Sequence, residues 1–245
     1  MNHTTATPRA VGVIGLGAMG AGMAQSLRRA GHHVHVHDIR PEAAAAFAAE
    51  GGTACATLAD MAAACRIIVS VVVNARQTEA VLFGEGGIAP ALQPGSVFIM
   101  CSTVDPNWSV ALEARLQAQG VHYIDAPISG GAAKAASGQM TMMTAGRPEA
   151  YAACEGVLDA MAAKVYRLGD SAGAGSKVKI INQLLAGVHI AAAAEAMALG
   201  LREGVDAAAL YEVITHSAGN SWMFENRMAH VLAGDYTPLS AVDIF

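Results

Sequence analysis

The sequence predicts an α/β fold, a Rossmann-type doubly wound parallel sheet followed by an all-helical domain. Three observations carry that expectation. Short β-branched runs alternate with helical segments up to about residue 170, a glycine turn directly follows the first run, and strand-like runs cease beyond Gly169. A chain of 245 residues accommodates one large or two modest domains. The change of pattern places a sheet domain at 9–171 and a helical domain at 172–245.

The first apolar run is Ala10–Ile14, and the helix after the glycine turn runs to Arg29, with Gly31 as its terminator. His33–His37 alternates as a strand, and Arg40-Pro41 opens an alanine-rich helix to Glu50. Residues 67–73 form a continuous β-branched stretch, the pattern of a strand buried on both faces. Strands at 96–100 and 121–124 flank a helix from Pro106 to about Gln119. Apolar strands separated by helices imply parallel pairing through right-handed crossovers. From Ser176 the pattern predicts a helix to about Glu203, then breaks at Gly204, at Gly219-Asn220-Ser221 and at Gly234-Asp235, with a last helix beginning near Leu239.

Composition excludes several classes. With 53% hydrophobic and 14% charged residues the chain is not disordered by charge, and a net charge of -5 argues against a nucleic-acid backbone as partner. Cys55, Cys65, Cys101 and Cys154 lie far apart without a CxxC pair, which suits neither a disulfide framework nor zinc and fits a reducing cytoplasm. The short, polar opening from Met1 to Pro8 leads to the expectation of no secretory segment. The most membrane-like stretch, 180–201, carries Asn182, Gln183, His189 and Glu195, which are costly in lipid, so a helix buried between domains is expected and no membrane partner.

Gly15-Leu16-Gly17-Ala18-Met19-Gly20 is a GxGxxG pattern in its informative context, after a strand and opening a helix. The glycines permit a tight turn, backbone approach to a pyrophosphate and close strand–helix packing, while the helix N-terminus favours the phosphates. Asp38 follows 18 residues after Gly20 and suits the adenosine ribose hydroxyls while repelling a 2′-phosphate, so NAD is the expected cofactor. Ile39 and Arg40 join the candidate cofactor residues; Arg40 could instead pair with a phosphate, and Asp38 could cap the next helix. His32, His33, His35 and His37 lack a second ligand set of recognisable spacing, so packed imidazoles rather than a metal site are expected.

Hydride transfer from an alcohol needs a proton acceptor and a carboxylate site. Ser129-Gly130-Gly131 offers a hydroxyl and two amides in a turn that either binds an anion or is a plain connection. Lys179, Asn182 and Gln183 stand at i, i+3 and i+4, on one helical face, whereas Lys177 lies about 140° from Asn182 and points toward solvent. A lysine buried where the two regions meet loses solvation, which lowers its pKa toward that of a proton shuttle; a structural ion pair is the other reading.

These segments, with Ser102-Thr103 and Pro106, resemble the β-hydroxyacid dehydrogenase family, which includes 3-hydroxyisobutyrate dehydrogenase and tartronate semialdehyde reductase. The resemblance covers 11–245. It implies Lys179 as catalytic acid/base, Asn182 as a substrate contact and Ser129, Gly130 and Gly131 as the carboxylate site, with Thr103, Val72 and Val73 along the cofactor. Segments 179–192, 218–228 and 234–245 are similar to a branch acting on a four-carbon sugar acid, oxidised at C2 to the 2-oxo acid. Lys134, where relatives commonly have glycine, and Asn220-Ser221-Trp222 are candidates for the distal hydroxyls; a solvated surface lysine is the other reading of Lys134. Met100 stands where relatives often have Asp. The resemblance also implies a Lys-Asp-Leu segment and further helices beyond Phe245, so that the helical domain is incomplete and weak turnover or none is expected of 1–245 alone. A homodimer or homotetramer is implied too. The same chemistry at C3, or a non-catalytic nucleotide-binding module, are the alternatives, and retention of Lys179 favours an enzyme.

Overall fold

Alternate residues of the strands sort into two apolar layers, and this two-sided burial builds the sheet. The computed structural model describes residues 7–237. The strand β1 (Ala10–Ile14) leads through the glycine turn to α1 (Gly20–Arg29), β2 (His33–His37), α2 (Pro41–Ala49), β3 (Thr53–Ala54) and α3 (Leu58–Ala64). Next come β4 (Ile67–Ser70), α4 (Ala75–Phe83), β5 (Val97–Met100), α5 (Pro106–Gln117) and β6 (His122–Asp125). Val11, Val13, Ile67, Val69, Val97, Ile99 and Ile124 pack with Met23 and Leu27 of α1 on one face. Ile14, Ile68, Phe98, Met100 and Tyr123 pack with Leu112 and Leu116 of α5 on the other. Period-two geometry makes both layers from one set of continuous apolar runs. Phe98 is fully buried, and its truncation to Ala is expected to cost about 3–5 kcal/mol.

The order across the parallel part is β3-β2-β1-β4-β5-β6. Beyond it lie elements that the sequence pattern does not announce. β7 (Ile128–Ser129), α6 (Gly131–Ser137), β8 (Met140–Gly146), α7 (Pro148–Ala153), α8 (Val157–Met161) and β9 (Ala162–Arg167) follow, and β8 runs antiparallel to β6 and β7 while pairing parallel with β9. The sheet is therefore parallel-dominated rather than wholly parallel. The Met-rich run of β8 and the mostly exposed β9 lack β-branched alternation and so carry little strand signal in the sequence.

The chain divides into two compact units, Met1–Lys179 and Ile180–Phe245. The division falls within α9 (Ala174–Arg202), which is followed by α10 (Ala207–Thr215) and α11 (Trp222–Leu232). In the second unit Ala193, Met197, Phe224 and Met228 form a small core against Leu210 and Tyr211, with the Tyr211 and Phe224 rings stacked. α9 was expected to be buried on most sides. Instead its buried residues fall at spacings of three, four or seven (Ser176, Lys179, Gln183, Ala186, Ala193, Met197), along one face, whereas Ile181, Leu184, Leu185 and Val188 are exposed. Only one stripe of the helix finds partners among the described residues. By length and composition α9 also suffices to cross a membrane, but Lys179, Asn182, Gln183 and Glu195 lie along it. The last helix, expected from 239, and the resemblance segment from 238 on lie outside the described residues.

Candidate active site

Five parallel strands end level with one another. The register pairs Ile14 with His37 and with Ser70, Ser70 with Met100, and Met100 with Asp125. The segments leaving these ends, at 15–19, 38–40, 71–74, 101–105 and 126–131, therefore emerge from one edge of the sheet. Strand order reverses between β1 and β4, the position at which open α/β sheets hold their ligands.

The glycine loop fits a dinucleotide. Gly15 has φ +91°, and a Cβ on Gly20 would stand 1.9 Å from the Gly15 carbonyl oxygen, so no larger residue fits there. Neither a capping side chain nor an acidic residue covers the first turn of α1, which leaves its amides and dipole for an anion. Asp38 lies beside this loop. Its Oδ2 accepts from the Leu16 amide at 2.6 Å, and its Oδ1 accepts from Arg40 through the backbone at 2.9 Å and through Nε at 3.3 Å. Burial pushes the carboxyl up, but these bonds and the Arg40 charge together hold it below its ordinary value, so it is charged. The cap of α2 is Arg40, without a side-chain bond, so Asp38 does not cap that helix. Arg40, a candidate for a phosphate, is engaged with Asp38, while Ile39 stands 94% exposed next to it.

The strand expected over 67–73 ends at Ser70. The Val71 amide continues the ladder by one bond to Ile14, after which Asn74 caps α4 and the Val73 amide bonds Gln77 Oε1. Val72 and Val73 thus sit in a loop after the fourth strand, not at the end of a third. Ser102, fully buried, fastens this loop by donating to the Val72 carbonyl at 2.8 Å and sharing a bond with Thr78 at 2.9 Å. Thr103 follows, half-buried.

Ser129 belongs to a short strand, paired with Thr141, rather than to a free turn. Gly130 (φ +143°) and Gly131 (φ +78°) then reverse the chain into α6, in backbone conformations that disfavour a side chain. Lys134 is exposed on α6, its stem beside Gly130. α6 is docked on α1: a Cβ on Gly22 would lie 2.6 Å from the Ala136 amide nitrogen, and Ser26 Oγ donates to the Ala135 carbonyl at 3.0 Å. The one signal for this contact in the sequence is the spacing of four between Gly22 and Ser26, which places two small residues on one helical face.

Lys179 is 6% exposed, and burial lowers its pKa from 10.5 to about 8. Lys177 is exposed, as helical geometry required. In the second unit, the half-buried Asn182 donates to Gln183 Oε1 at 3.1 Å. Asn220 Nδ2 is occupied in its own turn, donating to the Thr215 carbonyl and to Glu225, while its buried Oδ1 has no hydrogen-bond partner among the described residues, and Ser221 caps α11 by accepting from the Phe224 amide. Of the histidines, His32 accepts from the Arg9 amide, His37 bonds the Cys55 carbonyl and His35 approaches Cys55 Sγ. Among the described residues no three His, Cys, Asp or Glu side chains gather as metal ligands.

Comparison with known proteins bears on the family. Residues 10–169 match the NAD binding domain of 6-phosphogluconate dehydrogenase, and residues 173–245 match the NAD-binding region of NADP-dependent 3-hydroxyisobutyrate dehydrogenase. L-threonate dehydrogenase of Cupriavidus necator is 67% identical over 237 residues, covering 97% of this chain and 80% of that protein. The chain belongs to the 3-hydroxyisobutyrate dehydrogenase-like family of β-hydroxyacid dehydrogenases. It is an NAD-dependent oxidoreductase. L-threonate dehydrogenase of Escherichia coli K12 is 48% identical, covering 96% of this chain and 78% of its own. A crystal structure of 3-hydroxyisobutyrate dehydrogenase from Salmonella typhimurium superposes with a TM-score of 0.91 at 51% identity, covering 96% of this chain and 82% of that one. The Rossmann-type sheet and the helical region after it are thus those of the family.

Proposed function

We propose that the protein oxidises L-threonate at C2 to 2-oxo-tetronate (2-dehydro-L-erythronate), with Lys179 as general base. The single observation that carries the chemistry is the amine of Lys179, buried and brought to about 8, while Lys177 two residues earlier lies in solvent. An amine with that pKa takes a hydroxyl proton near neutral pH and returns it in the reverse reaction. The threonate assignment is supported by the 67% identity to the Cupriavidus necator protein.

In this reading Gly15, Leu16, Gly17, Ala18, Met19 and Gly20 hold the pyrophosphate, with Asp38, Ile39 and Arg40 on the adenosine side and Val72, Val73 and Thr103 toward the nicotinamide. The charged Asp38 favours NAD over NADP. When bound, the nicotinamide supplies the hydride acceptor. Ser129, Gly130 and Gly131 orient the substrate carboxylate, Asn182 assists, and Lys134 reaches the distal hydroxyls. Asn220, whose amide is bonded within its turn, is the weaker candidate for that last role. The reading keeps the domain boundary expected at 171/172, which the separate family matches to 10–169 and 173–245 support, while the compact units divide later, within α9. Four buried free thiols support a cytoplasmic location, and the exposed apolar residues of α9 support self-association.

A second reading, oxidation at C3, is favoured by the 51% identity to the Salmonella typhimurium structure. Absorbance at 340 nm with NAD separates the two. The proposal expects kcat/KM for L-threonate to exceed that for 3-hydroxyisobutyrate and for tartronate semialdehyde reduction, and the opposite order refutes it. Nucleotide binding without reduction of NAD by any hydroxy acid would instead identify a binding module. In Lys134→Gly an unchanged ratio of threonate to 3-hydroxyisobutyrate turnover removes Lys134 from the site.

A further inference from the structure

A helix of 29 residues has amides at its start that need acceptors, and α9 has no acidic residue in its own first turn. The acceptor comes from elsewhere in the chain. Asp125, the last residue of β6, is fully buried, yet its carboxylate takes three bonds from the entry to α9. Its Oδ2 accepts from the Gly173 and Ser176 amides, each at 2.9 Å, and its Oδ1 accepts from Ser176 Oγ at 2.6 Å. Glu113 adds a second buried carboxylate that accepts from the Ala172 amide at 3.2 Å. The approach is close enough to require glycine: a Cβ on Gly175 would lie 2.4 Å from the Met143 carbonyl oxygen and 2.9 Å from that of Asp125.

Asp125 stands at a branch point. The backbone that continues from it enters the turn at Ser129, Gly130 and Gly131, and its side chain holds Ser176, one helical turn before Lys179. A carboxylate at a helix start is also where the dipole favours negative charge, which offsets the burial that pushes Asp125 up from its ordinary pKa.

We infer that Asp125 is a positioning residue: its buried carboxylate clamps the first turn of α9 to the end of β6 and so fixes Lys179 relative to the Ser129-Gly130-Gly131 turn. The inference rests on the proposed role of Lys179. It assigns a task to a carboxylate that itself moves no proton.

The test compares Asp125→Asn, Ser176→Ala and Lys179→Met in the full chain, with kcat and KM for L-threonate, NAD affinity by fluorescence titration, and the pH profile of oxidation. Loosening the clamp displaces Lys179 and lets water reach it. Asp125→Asn and Ser176→Ala are therefore expected to lower kcat about tenfold or more, with NAD affinity within about twofold. The acid limb of the profile is expected to move upward by about half a unit or more, because a hydrated amine titrates closer to its ordinary value. Should Asp125→Asn fail to fold, Ser176→Ala carries the test, since it removes one hydroxyl and leaves the carboxylate in place. If Lys179→Met is inactive while both clamp variants turn over and titrate as the parent does, the positioning role is overturned and Lys179 stands. If Lys179→Met remains fully active, the reading of Lys179 falls and this inference with it.

Discussion

Replacing Lys179 by Met is expected to remove oxidation and, at neutral pH, to make the chain more stable. Burial lowers the amine from 10.5 to about 8, so the unfolded chain binds this proton more tightly than the folded one. The resulting cost to the fold is fully present below pH 8 and is relieved as pH rises from 8 to 10.5. A shift of that size corresponds to about 3 kcal/mol at pH 7 and under about 1 kcal/mol at pH 10. Methionine fills nearly the same volume and carries no charge to desolvate. Contacts of Lys179 that do not titrate are lost equally at both pH values, so the difference between pH 7 and pH 10 isolates the charge. Urea unfolding of parent and Lys179→Met at the two pH values measures it, alongside 340 nm assays in which kcat/KM is expected to fall by about 10²–10⁴. A stability difference between the two chains that does not change with pH refutes the argument that burial lowers the pKa of this amine.

The other expectations are independent of one another. Gly22→Ala places a Cβ 2.6 Å from the Ala136 nitrogen and pushes α6 from α1; KM for the hydroxy acid should rise while NAD affinity holds, at a stability cost of about 1–3 kcal/mol. Asp38→Ser removes the carboxylate and releases Arg40, and the NADP-to-NAD ratio of kcat/KM should rise about tenfold or more, as steady-state kinetics with both nucleotides will show. Ser221→Ala deletes the cap of α11 and should destabilise the helical unit by about 1 kcal/mol in denaturant melts followed by circular dichroism. Oxidation by the parent chain should rise with pH through a midpoint near 8, and reduction, which needs the charged amine, should fall through it.

What could be read before folding follows from how locally each feature is encoded. β1, β2, α1, α2 and the start of α5 carry their signals within a few residues: glycines, alternation, and Pro41 or Pro106 at a helix start. The distinction between Lys177 and Lys179 was legible because helical rotation alone decides it. The clamp at Asp125 was not, since Ser176 stands 51 residues away and no local pattern encodes their meeting. The same holds for Ser102, whose bond to Val72 spans 30 residues. β8 and β9 were missed for a different reason: methionine and polar residues pair well enough once a neighbouring strand supplies the ladder, yet carry little strand propensity themselves. The exposed face of α9 ran against expectation because apolar composition reports what a helix can bury, not what the chain supplies to cover it.

One girder underlies both proposed sites. The uncapped end of α1 is the proposed phosphate site, and Gly22 in its first turn and Ser26 four residues later grip α6, the segment that begins at the Gly131 reversal. The spacing of the two proposed anchoring sites is thereby built into a single rod rather than into a hinge, and in that reading the rod keeps the two reactants in mutual alignment.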